Sequence, residues 1–352
     1  MQNVSIQLVD ALHRRDDVEV DAIIMQTSWR FIGVKAFFFL VSLLWRIPSK
    51  IKKTKPDVVL FSSMVTAGVL PAMFKKPNVP FVTINHGQDV TKPVALYQWY
   101  VPSVFKKLDG VISVSSATRD ECIKRGMAPA KGVALPNGFD MKVVKKLPEQ
   151  IEARQIIEKE FGIDLTHKKL LLSVGRQVKR KGHEWFIQEV FNKVETDAVY
   201  LIVGDGPEHE NILKARENSD QKEKIVIVGK QPGNILHACY AAADLFVMPN
   251  IPVEGDMEGF GIVLLEANRA NVPAIASDLE GIKDVIEQGV NGYRIPHGEA
   301  DLFAEKIDYV LVHELDDLSE KSKEYVQKNY SWDTVVDRYI SFLKSIVKSV
   351  SN

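Results

Sequence analysis

Short, unbroken apolar runs recur along the chain, and stretches with helical periodicity separate them. Residues 57–62 read Asp-Val-Val-Leu-Phe-Ser; comparable runs stand at 81–84 and 110–114, with a fourth candidate at 133–135. A run that is apolar on both faces predicts a parallel strand covered from both sides, because alternation belongs to strands with one face in water. A further strand is predicted at 18–25, between an amphipathic helix over about residues 3–15 and an apolar helix over about 34–53. A second series of strands follows at 170–174, 198–203, 225–228, 245–248 and 273–276. Strands alternating with helices predict an α/β chain of two parallel-sheet modules laid end to end. Pro136-Asn137-Gly138 is turn chemistry, and the polar, basic stretch 142–148 behind it is the expected hinge. Domains are therefore expected at 1–147 and 148–330. An amphipathic helix over 332–347, in the final stretch 331–352, is expected to pack back on the first domain.

A length of 352 residues suits two such domains. Hydrophobic residues at 45% and charged residues at 26% exclude a disordered or collagen-like chain. Cys122 and Cys239 form no Cys-x-x-Cys pair, so neither a disulfide scaffold nor a zinc site is expected, and a reducing, cytoplasmic setting fits. The first residues read as a helix rather than a secretory signal. The longest apolar run, 36–45, would span about 15 Å as a helix, half of a hydrocarbon core of about 30 Å. The net charge of −1 hides an asymmetry: residues 1–150 carry 21 Lys and Arg against 12 Asp and Glu, so the first module is strongly basic. That points to an anionic partner.

Candidate chemistry concentrates in four segments. Gly175-Arg176 closes a buried strand, and the basic turn 179–181 leads to Gly182 and a helix near His183. Arg176 and Lys181 together suit a diphosphate, one as a planar fork and the other as a mobile point charge. A solvated basic turn is the other reading, and Lys179 and Arg180 are expected to be solvated. Gly204-Asp205-Gly206-Pro207 is a weak dinucleotide fingerprint and reads better as a tight turn shaping a wall. Glu258 and Glu266 flank Gly259-Phe260-Gly261 and the start of an apolar helix. Free amides at that helix start suit an anion, while the carboxylates suit hydroxyl groups. Hydroxyls beside a diphosphate describe a nucleotide sugar. The fourth segment, Asn85-His86-Gly87-Gln88-Asp89, puts His86 just after a buried strand, where a structural role is the commoner reading and a catalytic one the alternative. Glu280-Gly281-Ile282 reads better as a loop and helix start than as another carboxylate in the site.

Gly-Arg-x4-Lys-Gly, the later Gly-Asp-Gly-Pro and Glu-Gly-Phe-Gly-x5-Glu-Ala, in this order and spacing, resemble glycosyltransferase family 4. Asn85 to Asp89, Leu135 to Asp140 and Ser331-Trp332-Asp333 resemble its first-domain, hinge and C-terminal signatures, so the likeness covers essentially the whole chain. The resemblance implies a GT-B fold, two Rossmann-like doubly wound domains facing a cleft, and a retaining transfer from a nucleoside diphosphate sugar to an acceptor hydroxyl. It implies Arg176 and Lys181 on the pyrophosphate, Glu266 on the ribose, Glu258 on the donor sugar and His86 towards the reacting sugar. Backbone amides of Gly259, Phe260, Gly261, Ile262, Val263 and Leu264 would complete the contacts. No Asp-x-Asp motif is present, so no metal or other cofactor is expected. Asn250 departs from the family's usual small hydroxyl residue, and 251–257 lengthens the loop before Glu258.

The family's first strand and glycine-rich loop have no counterpart before Gln2, so a start upstream of Met1 is expected. The lysines of the first module, with Phe37-Phe38-Phe39, also allow peripheral contact with anionic membrane at the inner face; a solvated face over a covered sheet is the alternative. Nucleic acid is not expected as a partner. A cell-surface glycan or lipid-linked acceptor would suit the basic module. The remaining alternatives are a non-catalytic nucleotide-sugar-binding or assembly subunit and a nucleotide-sugar epimerase.

Overall fold

The computed structural model describes residues 2–25, 32–139 and 147–351. Two units share them: Met1–Gly138 with Trp332–Asn352, and Phe139–Ser331.

In the first unit, β1 (Val59–Phe61), β2 (Phe81–Asn85), β3 (Gly110–Ser113) and β4 (Gly132–Ala134) form a parallel sheet in the order β1-β2-β3-β4. β2 and β3 are buried along their whole length, as continuous apolar runs require. Two helices precede the sheet, α1 (Gln2–His13) and α2 (Ile32–Thr54). Leu43 and Ile47 of α2 enter the core with Phe61, Phe81, Val101 and Phe105. The expected strand over 18–25 does not form. A strand needs a ladder partner for its amide and carbonyl groups, and β1, at the end of the sheet, pairs only with β2 among the described residues.

The C-terminal helix Trp332–Ser351 belongs to this unit. The Trp332 indole donates to Gln7 Oε1 of α1 at 2.9 Å, and Arg15 pairs with Asp337. A Cβ on Gly138 would stand 2.3 Å from the Trp332 ring, so the Pro-Asn-Gly turn needs glycine because the tryptophan lies against it.

The division between the units comes earlier than the expected 147/148. At Phe139 the chain is already in the second unit: its amide donates to the Tyr330 carbonyl at 2.7 Å, and its ring lies 5.5 Å from the Arg269 guanidinium. Most of the expected hinge, residues 142–146, falls outside the described residues.

The second unit holds β5 (Lys169–Val174), β6 (Ala198–Val203), β7 (Ile225–Ile227), β8 (Leu245–Met248), β9 (Ala274–Ser277) and β10 (Gly292–Ile295). All pair in parallel, in the order β10-β9-β8-β5-β6-β7. The order reverses between β5 and β8, and such a switch point opens a crevice at the carboxyl ends of the strands. β10 was not expected; it is an edge strand whose Tyr293 and Arg294 are half-exposed, so it lacks the unbroken apolar run of its neighbours.

Candidate functional site

The loops that leave β5, β6 and β8 meet at that crevice because glycine lets their backbones touch. A Cβ on Gly182, which sits at φ 65°, would fall 1.9 Å from the Pro249 carbonyl oxygen. One on Gly204 would fall 1.8 Å from the Gly175 carbonyl oxygen, and one on Gly206 2.3 Å from that of Gln177. The Gly-Asp-Gly-Pro turn therefore shapes the wall.

Lys181 and Glu258 come together inside this junction. The Lys181 ammonium donates to Glu258 Oε2 at 2.6 Å, and both residues are buried. Arg180 donates to the same oxygen and, through Nε, to Asp256 Oδ1 at 3.0 Å. Asn250 Nδ2 lies 3.4 Å from Glu258 Oε2. Burial alone would raise the Glu258 carboxyl, but Lys181 and Arg180 outweigh it and hold it down at about 2. Burial pulls the Lys181 ammonium down, against the attraction of Glu258. The expected solvated role holds for exposed Lys179 and fails for Arg180, because a guanidinium can serve Asp256 and Glu258 at once.

Glu280 supports the same carboxylate from behind: its side chain accepts the Glu258 amide, and its own backbone sits at φ 46°. The expected loop and helix start is a 3-10 turn, Glu280–Asp284. Gly281 packs there with a hypothetical Cβ 2.2 Å from the Gly259 carbonyl oxygen.

Arg176 is exposed beside Gly175. A Cβ on Gly175 would meet Lys181 Cε at 3.5 Å, so the buried ammonium arm runs past the turn that carries Arg176. Gly261, at φ 78°, caps the helix Ile262–Arg269. As at any helix start, the first amides, those of Ile262 and Val263, have no intrahelical acceptor. The Leu264 amide does not join them, since it donates to the Gly261 carbonyl at 2.9 Å. The Phe260 ring is buried 6.0 Å from that of Tyr330, so only its backbone is left for a ligand. Glu266, on the same helix, accepts the Tyr240 hydroxyl at 2.6 Å, and burial raises its carboxyl.

His86 lies in the first unit and is described there alone. Its Nε2 is 3.0 Å from the Ser62 carbonyl oxygen. A carbonyl only accepts, which assigns the proton to Nε2 and leaves Nδ1 with a lone pair. The His86 amide donates to Asp89 Oδ1 at 2.8 Å, and the Met64 amide to Asp89 Oδ2 at 3.0 Å. Burial lowers the imidazole pKa, so the ring is neutral at pH 7.

Arg180, Glu280 and Tyr240 escape a reading of the sequence as site residues. The adjacency of Arg180 to Lys181 hints at the first, and the carboxylate of Glu280, set aside as a loop and helix start, at the second. Among the described residues no three His, Cys, Asp or Glu side chains converge as a metal site would require.

The family profile described as glycosyl transferases group 1 matches residues 154–332, and that of glycosyltransferase family 4 matches residues 3–143. N-acetyl-alpha-D-glucosaminyl L-malate synthase of Bacillus anthracis is 30% identical over 201 residues, 56% of this chain and 50% of that protein. The putative colanic acid biosynthesis glycosyltransferase WcaL of Salmonella typhimurium is 25% identical over 293 residues, 80% of this chain and 68% of that protein. Among solved structures, Anabaena HepE in complex with UDP matches with a TM-score of 0.72 at 17% identity, over 87% of this chain and 82% of that one, which shows a shared fold. The chain spans about half to two thirds of the length of the curated relatives it matches.

Proposed function

The chain belongs to the glycosyl transferases group 1 family and has the two parallel-sheet α/β units of the GT-B fold; from that premise we propose that it is a retaining glycosyltransferase using a nucleoside diphosphate sugar. The observation that carries the reading is the buried Lys181–Glu258 pair at the carboxyl ends of β5 and β8, next to the open helix start at Ile262.

The donor diphosphate sits against Arg176, Lys181 and the amides of Ile262 and Val263. Lys181 then divides its three donors between phosphate and Glu258. Glu258, held ionised, accepts hydroxyl groups of the donor sugar, and charge-assisted bonds of this kind are the strong ones. Glu266, oriented by Tyr240, accepts the ribose hydroxyls. As the glycosidic bond to the diphosphate lengthens, negative charge grows on the departing phosphate oxygen, where the two cations and the helix start meet it. The reaction in this reading calls on no metal. His86, neutral with a free Nδ1, orients the reacting sugar. The acceptor hydroxyl attacks from the face the leaving group vacates and passes its proton to the departing phosphate oxygen, which retains configuration.

The WcaL relative is named for colanic acid biosynthesis, which supports a glycan acceptor; work at the inner membrane face belongs to the proposal and rests on the basic first unit. Among the described residues no helix is long and apolar enough to cross a membrane, so such contact would be peripheral.

The test is a panel of nucleotide sugars incubated with the protein and a glycan acceptor, scored for released nucleoside diphosphate and glycosylated product. One donor should turn over, and Glu258→Ala and Lys181→Ala should each lower kcat/KM roughly a thousandfold. Donor binding with no turnover would favour an assembly subunit instead. Epimerisation of the free donor would replace transfer with another chemistry.

A further inference from the structure

The outer side of α2 is apolar where a soluble helix is polar. Leu43 and Ile47 face the core, while Val34, Phe37, Phe38 and Trp45 are each between 63% and 67% exposed. Positions 34, 38, 41 and 45 recur every three or four residues, so Val34, Phe38, half-buried Val41 and Trp45 form one stripe, with Phe37 alongside. Single exposed apolar side chains are ordinary, but a contiguous aromatic stripe marks a contact surface.

Charge identifies the partner. From Lys35 to Lys55 the chain carries Lys35, Arg46, Lys50, Lys52, Lys53 and Lys55 and no Asp or Glu. From outside the helix Asp21 approaches, 2.6 Å from Lys50. A hollow of about 430 Å³ opens at this basic end, bordered by Ile23, Trp45, Arg46, Ser49, Lys50 and Lys53. A second copy of the chain is a poor occupant, because a two-fold contact would set these cations against their own images. The 23-residue helix also carries Pro48 and packs its other side into the core, so it can lie on a bilayer and not cross one.

We propose that α2 docks the first unit onto an anionic phospholipid surface. Val34, Phe37, Phe38 and Trp45 enter the acyl boundary, and the hollow beside Trp45 receives the phosphodiester of a head group from Arg46, Ser49, Lys50 and Lys53. This deepens the membrane-face part of the functional reading, and its test uses no donor sugar, so the two stand or fall separately.

Sedimentation of the full chain with phosphatidylcholine vesicles, with and without phosphatidylglycerol, decides it. Binding should be at least about tenfold tighter on the anionic vesicles and should weaken as salt is raised. Phe37→Ser with Phe38→Ser should cost roughly tenfold or more, and so should Lys50→Glu with Lys53→Glu, with the circular dichroism melt of each matched to the parent. As a second measurement, brominated phosphatidylglycerol should quench tryptophan fluorescence, and Trp45→Leu should lose most of that quenching. Equal binding to both vesicles, no binding, or variants that bind as the parent does would overturn the proposal. So would a dimer in light scattering that Phe37→Ser with Phe38→Ser dissolves. Turnover without vesicle binding would sink this inference alone; vesicle binding without turnover would sink the transferase reading alone.

Discussion

The two units handle polar chemistry in opposite ways. In the second, one carboxylate is gripped by two cations, Lys181 and Arg180, and braced through its amide by Glu280. In the first, His86 is a neutral ring held by a carbonyl and placed by Asp89, while the cations lie outside along α2. A buried charge cluster is costly to leave half-made, so it fixes one geometry before any ligand arrives. A neutral ring costs little and can reposition. The second unit thus holds its ionised carboxylate in one arrangement, whereas the first keeps its buried imidazole uncharged.

The sharpest way to break this contrast is His86→Ala. It should lower kcat about a hundredfold and leave the dissociation constant of the free nucleoside diphosphate unchanged, since the diphosphate belongs to the other unit. Equal losses in both, measured by stopped-flow turnover and calorimetry, would merge the two roles.

Arg180→Ala should come next, at roughly thirtyfold in kcat/KM, or about 2 kcal/mol, because Glu258 loses one cation and the 251–257 loop loses its tie at Asp256. The loss should appear with the nucleotide sugar and not with the bare nucleoside diphosphate.

A third expectation concerns stability rather than turnover. His183 Nδ1 lies 3.1 Å from the Tyr200 hydroxyl, and burial pushes its pKa down to about 3 from 6.5. The unfolded chain binds a proton that the folded one refuses, so stability falls as pH drops below 6.5, by about 1.4 kcal/mol per pH unit. Glu258, depressed from 4.5 to about 2, adds a loss in the same direction once pH falls below 4.5. In denaturant titrations across this range, His183→Gln should flatten the slope between 6.5 and 4.5 and leave only the Glu258 share below 4.5.

Much of this protein was legible along the chain. Apolar runs marked nine of the ten strands, since a strand covered on both faces has no room for polar alternation. Gly175, Gly182 and Gly204 marked, by residue type and position after strands, the turns whose backbones meet at the crevice. What the chain could not disclose depends on partners far away in sequence. Residues 18–25 have strand composition but pair with no strand among the described residues. Arg180 looks like any surface cation until Asp256 and Glu258 come within reach, 76 and 78 residues later. Glu266 meets Tyr240, and Glu280 meets the Glu258 amide, only because separate loops converge. The sequence by itself determined which apolar runs can be strands covered on both faces and which residues can carry charge, for burial and propensity act locally. Only the tertiary structure decided which charges neutralise one another and which side of α2 stays uncovered, because desolvation and Coulomb attraction depend on what the fold brings close.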